Sequence, residues 1–451
     1  VALGGLQNIG RSPELRKRLL FVVMMLAVYR VGVHIPTPGV DTAALATLFN
    51  NFRGTILGLF DMFSGGALSH FSVFALGVMP YISSSIIVEL LTVVWPHLTR
   101  LKKEGGQEGR RKLTQYARYG TIILALFQGY LIALGLEGNN ALGSGLQLVP
   151  NPGLEFRLLT MITLTAGTAF VMWLGEQITE RGIGNGISLI IFAGIVEGLP
   201  SATFQTAKQV FGGEMSIVSA LLLVAGMLAI VGAVVFCERG QRRIQIQHAQ
   251  RMVGRNLVKG GMSHLPLKLN PAGVIPAIFA SSLIMFPYTM TQFIPVDYLR
   301  NMAGWLDPGG WLYNVLYVVL IIFFCYFYTG VTFNPVDVAE NLKKQGGFIP
   351  GIRPGARTAE YLDKILTRLI MWGGIYVSLV CLLPSFVSRH FNVDFYFGGT
   401  ALLIVVGVSI DTLGQIQSHL MNQHYASFMK RGGGGPAAAF NPGQPRGRIQ
   451  R

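Results

Sequence analysis

The stretch FSVFALGVMPYISSSIIVELLTVVW (71–95) runs for 25 residues with one charged side chain, Glu89. A helix needs about 20 apolar residues to cross the hydrocarbon core of a bilayer, so this stretch reads as a transmembrane span. Nine further stretches read the same way: Leu19–Val33, Tyr119–Leu136, Phe156–Gly175, Ile187–Leu199, Ile217–Phe236, Ala272–Phe293, Trp311–Val331, Ile365–Phe386 and Phe397–Leu413. Of these, Ile187–Leu199 is short and needs its polar N-terminal extension to span. Backbone groups in lipid must be satisfied within their own segment, so the expected form is helical throughout. Composition agrees. The chain is 51% hydrophobic and only 13% charged, against about 25% charged residues in a typical soluble domain. A water-soluble class is excluded.

The net charge of +15 is unevenly placed. The N-terminus, the tail and alternate connections (second–third, fourth–fifth, sixth–seventh, eighth–ninth) hold 30 Lys and Arg residues. The other connections hold four: Arg53, Lys208, Arg300 and Arg389. Cytoplasmic loops carry the excess of Lys and Arg, so both termini are expected in the cytoplasm and the number of spans even. Arg30 and Arg157 fall at helix ends, where long basic side chains snorkel. The tail from Gly432 is rich in Gly and Pro and reads as disordered.

One apolar segment is too short to span. Thr55–Gly66 (TILGLFDMFSGG) precedes the second span and ends in Gly65 and Gly66. A segment of this length is re-entrant or interfacial. Re-entrant backbone needs protein or a water-filled cavity around it, whereas an interfacial helix would lie on the outer surface. Both readings stand on sequence alone.

Enzyme chemistry is not visible. There is no GxxxxGK[ST] phosphate loop and no HExxH. Cys237, Cys325 and Cys381 lie in or at the edge of apolar runs and read as small buried hydrophobes. Glu89 and Asp411 are functional candidates as ionisable groups in spans, but their place near the cytoplasmic ends also suits a solvated interfacial carboxylate.

Long motifs then resemble one family. SGGALSHFSVFALGVMPYISSSIIVELL (64–91), KKEGGQEGRRKLTQYARYGT (102–121) and ITERGIGNGISLIIFAGIVEGLP (178–200) resemble segments of SecY, in order. ERGQRRI (238–244), LPLKLNPAGVIPAIFASS (265–282), NLKKQGGFIPGIRPG (341–355) and FYFGGTALLIVVGVSIDT (395–412) continue the likeness. It runs from the first span to near Lys430.

This resemblance implies an all-α membrane protein of ten helices in two pseudo-symmetric halves of five, with a short re-entrant plug helix. The implied division is a cytoplasmic N-terminus at 1–18 and a first half at 19–199 with the plug at about 55–66. A second half at 200–414 carries large cytoplasmic loops at about 237–271 and 332–364, and a cytoplasmic tail follows at 415–451. It implies a passive conduit for unfolded polypeptide, without cofactor or metal, in the bacterial cytoplasmic membrane. The implied partners are SecE and SecG, the SecA motor that hydrolyses ATP, the ribosome, signal-sequence-bearing preproteins, SecDF, YidC and membrane lipids.

The resemblance also assigns residues. Val78, Ile82, Ile187, Ile191, Ile278 and Ile404 match a pore ring, where a narrow apolar constriction dewets and seals. Helical spacing alone fits ordinary core packing equally. Thr55, Ile56, Leu57, Leu59, Phe60, Asp61, Phe63, Gly65 and Gly66 match the plug. Ser83, Ser84, Ser85, Gln128, Asn270 and Phe286 match a lateral gate between the second–third and seventh–eighth helices, though each serine also has partners within its own helix. Arg242, Arg243, Arg251, Arg255, Arg353 and Arg357 match a docking surface for SecA or the ribosome. The competing reading gives these cations to membrane orientation and anionic lipid. A small-solute transporter is the alternative class; it needs intramembrane charges and broken helices in both halves.

Overall fold

The computed structural model describes residues 13–41, 45, 61–141, 148–213, 216–248, 251–253, 256–258, 261–293, 310–391 and 399–432. Each of the ten apolar stretches carries a helix. These are α1 (Pro13–Val33), α2 (Met79–Val94), α4 (Gly106–Ala141), α5 (Leu154–Arg181), α6 (Gly186–Phe211), α7 (Ile217–Arg239), α8 (Ile275–Phe293), α9 (Trp311–Thr332), α11 (Ala356–Phe391) and α12 (Gly399–Gly432). Two short amphipathic helices, α3 (Pro96–Glu104) and α10 (Pro335–Lys344), lie between them. Among the described residues, seven helices are long and apolar enough to cross a membrane; α2 with α3, bent by 98°, makes an eighth. The chain is a multi-pass helical membrane protein.

The second span differs from its reading in the sequence. The regular helix starts at Met79, not Phe71, and 64–78 runs as a chain of turns. Pro80 explains the start, because it is tolerated in the first turn but removes a hydrogen bond inside a helix. Upstream of it the backbone is held by tertiary contacts. Pro36 bridges Ser72, and the Val73 amide donates to the Ile35 carbonyl at 2.9 Å. This irregular segment is deeply buried: Ala67, Leu68, Phe71, Ser72, Ala75 and Leu76 are nearly inaccessible. Gly167 of α5 packs directly on it. Non-helical backbone at membrane depth survives only where protein or a cavity surrounds it.

The fifth stretch also extends further than its apolar run. α6 continues past Pro200 to Phe211, and Asn185 caps its start by accepting from the amides of Ile187 and Ser188 at 3.2 and 3.4 Å. Such a cap satisfies amides that no helical carbonyl reaches.

The two long basic connections are folded. Gln241–His248 (β1) and Met262–Lys268 (β4) pair antiparallel, with Arg243 opposite Pro266. Between them Arg251–Val253 (β2) and Asn256–Val258 (β3) form a second small ladder. β5 (Gly347–Phe348) from the other connection adds to β1, giving the order β4-β1-β5. Beneath the sheet, Ile244, Leu267, Ile349, Leu362, Ile365 and Leu369 form their own apolar core. The two connections and the start of α11 therefore make one platform. The main core is separate and continuous through the helical bundle.

Candidate pore, plug, gate and docking platform

Four helices and one cap residue bring the six ring candidates into the main core. Val78 caps α2, Ile82 lies one turn on, and Ile187 and Ile191 occupy the first turns of α6. Ile278 is on α8 and Ile404 on α12. Val78, Ile82, Ile191 and Ile404 are buried, and Ile187 and Ile278 are half-buried against the same cluster. α2 packs on α8, and α6 packs on α12. The entry to α6 is tied to α12 by the Gly184 amide, which donates to Gln415 Oε1 at 2.8 Å. All six share that core with many ordinary packing residues.

Of the plug candidates, Thr55, Ile56, Leu57, Leu59 and Phe60 lie outside the described residues. Asp61, Phe63, Gly65 and Gly66 lie within them. Asp61 is the organising group: its Oδ1 accepts from the amides of Leu68 and Ser69 at 3.0 and 2.8 Å. The carboxylate thus closes a turn on its own chain, which satisfies a charge that burial would otherwise penalise. Gly65 (φ +66) and Gly66 (φ +78) sit in the left-handed region that favours glycine.

Three groups that the sequence reading did not assign to the plug clasp this turn. Tyr29 Oη on α1 donates to the Ser64 carbonyl at 2.8 Å. Arg30 Nη1 donates to the Gly65 carbonyl at 2.9 Å, and its Nη2 pairs with Glu197 on α6. Arg30 is therefore directed into protein contacts rather than snorkelling. A polar pair on two apolar helices was the available sequence signal; nothing local said that the two positions meet.

At the gate candidates, Ser84 Oγ donates across to the Ala117 carbonyl of α4 at 2.7 Å. Ser85 Oγ instead donates within its own helix, to Ile82 at 2.9 Å, and Ser83 is half-buried. Gln128 Oε1 on α4 is buried without a hydrogen-bond partner among the described residues, as is Ser282 Oγ on α8, a helix that packs against α4. Ser282 was not among the sequence candidates. Asn270 is buried at the base of α8. Its amide donates to Glu238 and to the Gly273 carbonyl, both at 2.9 Å, joining α7 to the start of α8. Phe286 lies on α8, and its side chain is outside the described residues.

At the docking candidates, Arg242 and Arg243 are exposed on β1. Arg353 is exposed at the tip of a turn between Gly351 (φ +83) and Gly355 (φ +108), and Thr358 Oγ1 holds its carbonyl at 3.0 Å. Arg357 is exposed beside it. Arg251 lies on β2 with its side chain outside the described residues, where Arg255 falls entirely. Glu89 and Asp411 pair with Lys102 and Lys268 at 3.0 and 3.4 Å, as interfacial carboxylates do.

Comparison with known proteins agrees in sequence and in fold. A SecY family profile matches residues 72–413. The chain is 52% identical over 427 residues to the protein translocase subunit SecY of Vibrio cholerae, covering 93% of this chain and 94% of that one. Against the same-named subunit of Escherichia coli K12 it is 52% identical over 427 residues, covering 94% and 95%. Among solved structures it resembles a protein-conducting channel (TM-score 0.65, 17% identity, 89% and 92% coverage) and the Sec61 channel of a canine ribosome complex (TM-score 0.60, 16% identity, 89% and 92%).

Proposed function

The chain belongs to the SecY family, and we propose that it is the channel subunit of a protein translocase, conducting unfolded polypeptide across the membrane and releasing apolar helices sideways into lipid. The observation that carries this reading is the long, near-full-length identity to translocase subunits. A buried, non-helical segment inside the helical bundle is compatible with it, because such backbone needs protein or a cavity around it.

In this reading the ten helices are ten spans in two halves, with both termini in the cytoplasm of a bacterial inner membrane. Val78, Ile82, Ile187, Ile191, Ile278 and Ile404 form the constriction. Branched apolar side chains keep their shape, and a narrow apolar neck excludes water and ions without being permanently blocked. The segment 55–66 is the plug, sealing the neck from outside. The gate runs along α2 and α4 on one side and α8 and α9 on the other. Its polar contacts are few, and each interhelical bond in lipid is worth about 0.6–2 kcal/mol, so the seam is weak enough to open. The unpartnered oxygens of Gln128 and Ser282 suit a seam that meets a polar backbone when a chain passes.

The folded platform of β1, β4, β5 and the Arg353 turn is the docking surface for the partner that supplies energy, SecA with ATP or the ribosome. Arg suits it because a guanidinium pairs bidentately with carboxylate or phosphate. SecE and SecG complete the assembly, preproteins are its cargo, SecDF and YidC act alongside it, and the chain itself hydrolyses nothing.

The test is a photocrosslinker at Ile191, with a secretory chain stalled midway in membranes that hold this protein. Crosslinks are expected only when the signal sequence and the stalled chain are both present. A folded, inserted protein that gives none at Ile191, Ile82 or Ile404 would refute the pore assignment and bring the transporter reading forward.

A further inference from the structure

Arg30 and Glu197 are set 167 residues apart on two largely apolar helices, yet they form an ion pair directly over the plug turn. An ionisable residue within a span is a functional candidate by default. Here two meet, and one of them also holds a plug carbonyl. The pair does not merely neutralise itself. Arg30 divides its donors between Glu197 and the Gly65 carbonyl, so the plug turn is bonded to the same guanidinium that joins α1 to α6.

Three further contacts converge there. Tyr29 holds the neighbouring Ser64 carbonyl and stacks on Phe74 at 5.9 Å between ring centroids. Gly65 lies against Gly194, one turn before Glu197; a Cβ on Gly65 would come within 2.9 Å of the Gly194 Cα. A Cβ on Gly66 would stand 3.9 Å from Glu197 Oε2. The turn is thus gripped through backbone carbonyls. Such a grip holds position without filling a side-chain pocket, and it is lost when the Arg30 guanidinium leaves the turn.

We propose that Arg30 and Glu197 are positioning residues that latch the plug turn shut, so that loss of the Arg30 bond to Gly65 releases the plug. This rests on the plug and pore reading above. Both side chains are about a third exposed, so solvent screening limits the strength of the pair. A charge-assisted hydrogen bond to a carbonyl is nevertheless among the stronger single contacts. Its loss is expected to raise the open fraction roughly tenfold.

The experiment measures ion flux through liposomes holding the translocase with no chain in transit. Five versions are compared: the parent, Glu197→Gln, Arg30→Lys, deletion of 55–61, and Glu197→Gln combined with that deletion. Deletion is expected to leak strongly. Glu197→Gln, close to isosteric, is expected to leak roughly tenfold above the parent. Arg30→Lys, which keeps the charge and one donor, should lie between them and the parent. The decisive arm combines Glu197→Gln with the deletion. If the pair acts through the plug, the combination leaks no more than deletion alone, because coupled residues are not additive. If it only braces the helices, the two effects add and the latch is overturned. A tight Glu197→Gln beside a leaking deletion also overturns the latch while leaving the plug standing. A deletion that does not leak overturns the plug reading itself.

Discussion

Replacement of Gly167 by alanine is expected to cost the folded protein about 3 kcal/mol, the upper end of overpacking effects, and valine more. Gly167 lies on α5 with its missing side chain turned toward the segment before α2. A Cβ there would stand 1.9 Å from the Val73 carbonyl oxygen and 2.8 Å from its carbon. Both are backbone atoms, so no side chain can swing aside. Relief would require shifting α5 or lifting the irregular segment that carries Val73, Phe74 and Ala75. That segment leads directly into Val78 and α2, so the damage reaches the proposed constriction. The check is thermal denaturation of the detergent-purified protein against Gly138→Ala on α4, where an added Cβ meets nothing within 4 Å. Gly138→Ala should be neutral or stabilising by about 0.5–1 kcal/mol. Equal melting of the two variants would contradict the packing described.

Reversal of charge at the platform tip, Arg353→Glu, is expected to lower translocation driven by the cytoplasmic partner by more than about tenfold without unfolding the protein. The reasons are exposure and support. Exposed substitutions away from caps and cores usually stay within about 0.5 kcal/mol, and the turn's shape depends on Gly351, Gly355 and the Thr358 bond rather than on the guanidinium. In the proposed docking role the guanidinium itself is needed, because a carboxylate there repels the acidic or phosphate groups that arginine would pair with. The measurement is preprotein uptake into membrane vesicles, alongside Lys208→Glu, an exposed charge reversal on the far part of α6. Lys208→Glu should leave uptake near the parent's. If Arg353→Glu instead altered the chain's orientation, the residue would belong to topology and lipid contact rather than docking.

Much of the architecture was legible because it is written locally. Each of the ten apolar stretches carries a helix, and among the described residues seven of these, or eight with the bent α2–α3 pair, are long and apolar enough to span, as lipid leaves the backbone no other partners. Their ends were less legible. Pro80 marked the true start of α2, but the apolar run continued upstream of it and hid the boundary. Pro200 marked no boundary at all, because α6 carries through it. The basic connections were legible as long charged loops, but not as a three-stranded sheet built from two of them.

The sequence by itself determined a membrane protein, the identity of each helix and, through long motifs, its family. Apolar length and motif identity are properties of consecutive residues, and no distant contact is needed to read them. Tertiary structure alone decided that 64–78 is held as buried turns, that Asp61 folds back on Leu68 and Ser69, and that Arg30 reaches Gly65 and Glu197. Those outcomes depend on which carbonyls and carboxylates the packed helices deliver to one place. A buried charge or an unwound backbone is stable only once those partners have arrived.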